Sequence, residues 1–106
     1  MVVSKIQEAQ KEQFLHSSSE LLTAMANPIR MEILTYVSEA EISVGVLGKR
    51  VGLSQSALSQ HLAKLRQAGL VTTRRDAQTI YYHSTSVVVR KTLDLLRDIF
   101  DSRPLG

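Results

Sequence analysis

The sequence contains no cysteine. That absence excludes disulfide scaffolds, cysteine-ligated zinc and iron–sulfur centres, thiol catalysis and thiol redox sensing, and it suits a reducing compartment. Tryptophan is missing too, aromatic residues make up only 5% of the chain, and proline occurs twice, at Pro28 and Pro104. No glycine-rich phosphate loop, internal repeat or low-complexity linker is present. No apolar run approaches the roughly 18 to 20 residues of a membrane-spanning helix. The polar stretch with Lys5, Glu8, Lys11 and Glu12 has no signal-peptide core. A cytoplasmic location is the expectation. With 106 residues, one domain over residues 1–106 is expected, with a thin core that a partner subunit would supplement.

What the chain does have is an uneven charge. The net +3 conceals an acidic first part, residues 1–41, with three basic residues against six acids. Residues 76–106 carry four of each sign. Between them, residues 42–75 hold Lys49, Arg50, Lys64, Arg66, Arg74 and Arg75 and neither Asp nor Glu. Such a segment is the electrostatic footprint of a polyanion-binding surface, although a solvated face balanced in space by the acidic part would give the same count.

Local signals divide the chain into five helices and a hairpin. Helix formers run from Lys5 to Ala26 with Phe14, Leu21, Leu22 and Met25 on one apolar face, weakened in the middle by Ser17 to Ser19. Asn27 before Pro28 is an N-cap with proline at the first helical position, starting a second helix that carries Met31, Ile33, Leu34 and Val37 and ends near Ser38. Ser43 caps a short third helix stopped by Gly52, and Ser54 caps a fourth that runs to about Ala68 with Gly69 as its stop. Leu70 to Arg74 and Thr79 to His83 are β-branched and aromatic runs around the glycine-free turn Arg75-Asp76-Ala77-Gln78. Tyr81 and Tyr82 alternate in facing, so one belongs to the core and the other to the surface. From Ser86 the spacing is helical again. Val89, Leu93, Leu96 and Phe100 form one stripe, with Val88, Thr92, Leu95 and Ile99 beside it, which is wide for a lone surface helix and points to a second buried face in a partner subunit.

The order predicts a mainly α fold with a small β-hairpin: a helix-turn-helix through Gly52-Leu53, followed by a basic wing. At about 100° per residue, Leu58, Leu62 and Leu65 define the buried side of the fourth helix. Ser56, Ala57, Gln60, Lys64 and Gln67 then lie opposite, with Ser59 and His61 on the flanks and Gln55 in the first turn. Short uncharged side chains permit close approach to base edges, and glutamine can pair bidentately with adenine. The expected base-reading residues are therefore Gln55, Ser56, Ser59 and Gln60. Lys64, Arg74 and Arg75, with Lys49 and Arg30, are the expected contacts to the DNA backbone.

The segments LLTAMANPIRMEIL (21–34), SVGVLGKRVGLSQSALSQHLAKLRQAGLV (43–71) and TRRDAQTIYY (73–82) resemble the ArsR/SmtB family of winged-helix repressors, and within it the NolR-type and HlyU-type regulators. The resemblance implies a homodimer joined through the first and last helices, with Phe14, Leu21, Val89, Leu93, Leu96 and Phe100 at the interface. It also implies two recognition helices in successive major grooves of an inverted-repeat operator. The family is best known for metal sensing, and here the chain departs from it. The cysteine-matching places of the metal motif are Ser43 and Gly45, which cannot supply thiolates. Residues 86–106 contain no histidine, and Asp94, Asp98 and Asp101 are at most a weak hard-cation pattern. His16, His61 and His83 are scattered. The expectation is a sequence-specific transcriptional repressor that binds double-stranded DNA, without cofactor, metal or thiol sensing. A winged-helix protein-interaction module and a metal sensor using histidine and carboxylate ligands are the alternatives. No nucleophile with a placed base argues for an enzyme.

Overall fold

A computed structural model describes residues 4–101 of the chain. The first helix, α1 (Lys5–Met25), is continuous. Ser4 opens it with a capping box in which its hydroxyl accepts from the Gln7 N–H and the Gln7 amide oxygen accepts from the Ser4 N–H. The serine run does not break the helix. Ser17 accepts from the Gln13 side chain at 2.7 Å and Ser19 donates to the His16 carbonyl, so the hydroxyls are satisfied along the helix itself. The second helix, α2 (Pro28–Glu39), begins as expected, with Asn27 Oδ1 accepting from the N–H groups of Ile29 and Arg30.

A two-residue strand, β1 (Ile42–Ser43), precedes α3 (Val44–Val51), and α4 (Gln55–Gln67) follows across the turn at Gly52. Gly52 has φ of 70°, a left-handed conformation that ends α3 and lets α4 begin after only Gly52, Leu53 and Ser54. The far end of α4 closes with a Schellman motif: Leu70 N–H donates to the Leu65 carbonyl, Gly69 N–H donates to that of Arg66, and Gly69 has φ of 72°. Leu65 and Leu70, the pair such a motif brings together, are both buried.

The wing is β2 (Thr72–Asp76) and β3 (Thr79–His83), joined by Ala77-Gln78, a turn tighter than the four residues expected. Ala77 takes the positive φ of 54° that glycine would ordinarily supply. The strand order is β1-β3-β2, so the hairpin is one side of a three-stranded antiparallel sheet, with Ile42 opposite Tyr82 and Ser43 opposite Tyr81. Tyr82 is buried and Tyr81 half-buried, which divides the two tyrosines as the alternation predicted. The last helix, α5 (Val87–Phe100), starts at the Ser86 cap.

The core forms around α2, whose Ile33, Leu34 and Val37 are fully buried and which touches α1, α3, α4, α5 and β3. Leu47, Leu58, Leu62, Leu65 and Val89 complete its centre. Buried Ser84 donates to the Leu70 carbonyl at 2.6 Å, accepts from the Ser86 N–H, and donates its own N–H to the Val37 carbonyl, tying the wing stem to α2 and α5. No helix among the described residues is long and apolar enough to cross a membrane.

Candidate nucleic-acid interface

The helix-turn-helix holds α4 by one face. Leu58, Leu62 and Leu65 are buried against the core, and Gln55, Ser56, Ser59, Gln60, Lys64 and Gln67 are exposed on the other side, while Ala57 and His61 are half-buried on its edge. Ser54 caps the helix by accepting from the Ala57 N–H, so the exposed head of α4 carries uncharged side chains and the positive end of its dipole. Lys64 and Arg66 occupy its last turn and Lys49 and Arg50 the last turn of α3, and all four are exposed.

Two of the expected phosphate contacts are engaged elsewhere. Arg30 is only 8% exposed. Its Nε donates to the Ala24 carbonyl at 2.6 Å and its Nη2 to that of Thr23 at 3.3 Å, which places a cation on the C-terminal carbonyls of α1, a last turn that holds no basic residue of its own. Its Nη1 lies 3.3 Å from His61 Nδ1. Arginine only donates, so Nδ1 is the unprotonated ring nitrogen. Burial lowers the His61 pKa below the usual histidine range, and the nearby charges of Arg30 and Lys64 lower it further. Arg30 is thus a structural clamp joining α1, α2 and α4.

Arg74 is held too. Its Nε and Nη2 grip both carboxylate oxygens of Glu41, the shortest contact being 2.6 Å, and its guanidinium lies 4.6 Å from the centre of the Tyr81 ring. The hydrogen bond from Arg74 keeps the Glu41 carboxyl below its usual pKa. Glu41 stands one residue before the acid-free window, and β1, paired with β3, brings it within reach of Arg74 on β2, so the window's isolation in sequence is not isolation in space. Arg75 points to the other side of the strand and makes no ion pair among the described residues. Arg50 lies 5.4 Å from the centre of the Tyr36 ring.

The apolar side chains expected at a subunit interface differ in exposure, with Phe14 and Phe100 exposed and the other four not. Val89 and Leu93 are buried in the chain's own core at 0% and 5% exposure, where α5 packs on α2, and Leu21 and Leu96 are half-buried. The exposed apolar surface is instead the neighbouring stripe, Val88, Leu95 and Ile99, with Phe100 beyond it, and on α1 Phe14, Leu15 and Leu22. Ser43, at one cysteine-matching place, caps α3 by accepting from the Val46 N–H.

Comparison with known proteins agrees with this architecture. The profile of the family described as "Bacterial regulatory protein, arsR family" matches residues 27–73, from the cap of α2 into β2. The nodulation protein NolR of Rhizobium meliloti is 56% identical over 89 residues, 80% of this chain and 73% of that protein. The transcriptional activator HlyU of Vibrio cholerae is 51% identical over 80 residues, 76% of this chain and 74% of that protein. The crystal structure of NolR from Sinorhizobium fredii superposes with a TM-score of 0.83 at 49% identity, covering 94% of this chain and 96% of that one. A homodimeric winged helix-turn-helix DNA-binding domain from Mycobacterium bovis gives 0.78 at 26% identity, covering 88% and 86%. This chain belongs to the ArsR family of bacterial regulatory proteins, and it is a winged-helix transcriptional regulator rather than an enzyme.

Proposed function

We propose that the protein represses transcription by occupying an inverted-repeat operator as a homodimer, with one α4 in each of two successive major grooves and without a metal or thiol signal. The observation that carries this reading is the outward face of α4: small or amide side chains at its head, cations at its tail, and no carboxylate anywhere along it. Gln55, Ser56, Ser59 and Gln60 read base edges. Lys49, Lys64 and Arg75 contact phosphates, with Arg66 exposed beside them. Dimerisation is supported by apolar side chains of α1 and α5 that nothing among the described residues covers, including Phe14 at 67%, Leu95 at 58% and Ile99 at 57% exposure. The name of the Mycobacterium bovis structure describes a homodimer, which is the same assembly. Repression is the sign proposed because a compact domain seated on a promoter excludes polymerase by occupancy, with no further contact required.

The test is competition binding with single-base variants of a bound duplex. Gln60→Ala should lose about 1 to 3 kcal/mol of discrimination at one base pair in each half-site and keep its preference elsewhere. Unchanged discrimination at every position would remove α4 from the reading surface.

A further inference from the structure

On the side of α1 turned away from its exposed apolar residues, an open cleft of about 470 Å³ separates α1 from the end of α4. Ser19, Glu20 and Thr23 line one wall, Lys64 and Gln67 the other, and Arg30 lies at the base. The size falls in the range of small-molecule sites, roughly 300 to 1,000 Å³. Arg30 gives the cleft a built floor. A guanidinium has five N–H groups, and the protein supplies Arg30 with three acceptors, on Ala24, Thr23 and His61. One N–H on each terminal nitrogen is left over in a group that is only 8% exposed. Lys64 faces the same space and has no ion pair among the described residues.

Charge selects the ligand. Glu20 sits on the rim, 3.2 Å from His16. Arg30 and Lys64 stand against this one carboxylate, a balance that matches a single negative charge and disfavours a phosphate dianion. The arginine fork fits a carboxylate's two oxygens, and the hydroxyls of Ser19 and Thr23 with the Gln67 amide offer partners to a hydroxylated body.

We propose that this cleft binds a small monocarboxylic acid between Arg30 and Lys64, and that occupancy withdraws Lys64 from the DNA backbone and so weakens operator binding. The second half rests on the DNA-reading proposal above; the first does not. Because α1 carries part of the apolar face and α4 the reading face, a ligand bridging them touches both functional elements at once.

The experiment titrates the full chain with benzoate and with lactate while amide chemical shifts are followed, at ionic strength held constant with chloride and with inorganic phosphate as a comparison arm. Saturable shifts at Thr23, Ala24, Lys64 and Gln67 are expected with the monocarboxylates and weaker ones with phosphate. Ser19→Leu, which fills the cleft with an apolar side chain far from the reading residues, should abolish them. No saturable shift, an equal response to phosphate, or shifts that persist in Ser19→Leu would each overturn the site. On duplex DNA, saturating benzoate should weaken binding roughly fivefold or more and lower the salt slope by about 1.8, the share of one phosphate contact from each of the two protomers. An unchanged affinity and slope would overturn the coupling. The shifts are measured on free protein, so they decide the site even if no duplex binds, a result that would contradict the DNA reading instead.

Discussion

Adjacent arginines on β2 have different fates because a strand alternates its side chains. Arg74 is spent on Glu41 and Tyr81, whereas Arg75, opposite Ile80, projects from the other face. Arg75→Ala should therefore lower the salt slope of duplex binding by about one ion per protomer, about two for the homodimer, and weaken all sequences alike, while Arg74→Ala should leave the slope nearly unchanged. Equal loss in the two variants would show that DNA displaces Glu41. At His61 the lowered pKa has a consequence for stability. The unfolded chain takes up a proton near the ordinary value of about 6.5, before the folded chain does. The His61 contribution is thus complete above that pH and is lost as pH falls towards the lower folded value. Urea unfolding between about pH 8 and pH 5.5 should show a loss of stability on acidification that is smaller in His61→Gln, whose amide oxygen can accept from Arg30 at every pH. An identical pH dependence in both proteins would mean that the Arg30–His61 contact does not control it.

The elements read well where their signals are local and poorly where they are not. Asn27-Pro28, Ser43, Ser54 and the two helix-stopping glycines each act on their own backbone neighbours, and each cap forms where the sequence placed it. β1 has only two residues, and its strand character exists solely through pairing with Tyr81 and Tyr82 some forty positions away, so no periodicity could announce it. The roles of Glu41 and Arg30 are equally non-local: Glu41 reaches Arg74 only because β1 joins the sheet, and a charged residue at the start of α2 reads as surface until its guanidinium is seen on the carbonyls of α1. On α5 the two apolar stripes were visible, but the pattern alone could not say which one the chain keeps. The angle between them now separates two effects. Leu93→Ala should destabilise folding by about 2 to 3 kcal/mol in chemical denaturation. Leu95→Glu should leave the far-ultraviolet circular dichroism spectrum intact and shift the protein to a monomer in sedimentation. If Leu95→Glu sedimented as the wild type does, the partner would have to sit elsewhere.

At the scale of the whole molecule the parts are arranged by charge and polarity. Acidic residues concentrate in the first part of the sequence, cations at the ends of α3 and α4 and on the wing, and uncovered apolar surface on α1 and α5. This separation lets one surface meet a polyanion while another meets a second copy. Twofold pairing would set two α4 helices about 34 Å apart, one turn of the duplex. Selection of bound sequences from a random duplex pool at physiological salt tests both halves of that statement together. The account predicts enrichment of an inverted repeat with half-sites about 10 base pairs apart, centre to centre. Recovery of single, unpaired half-sites, or no enrichment over the starting pool, would contradict it.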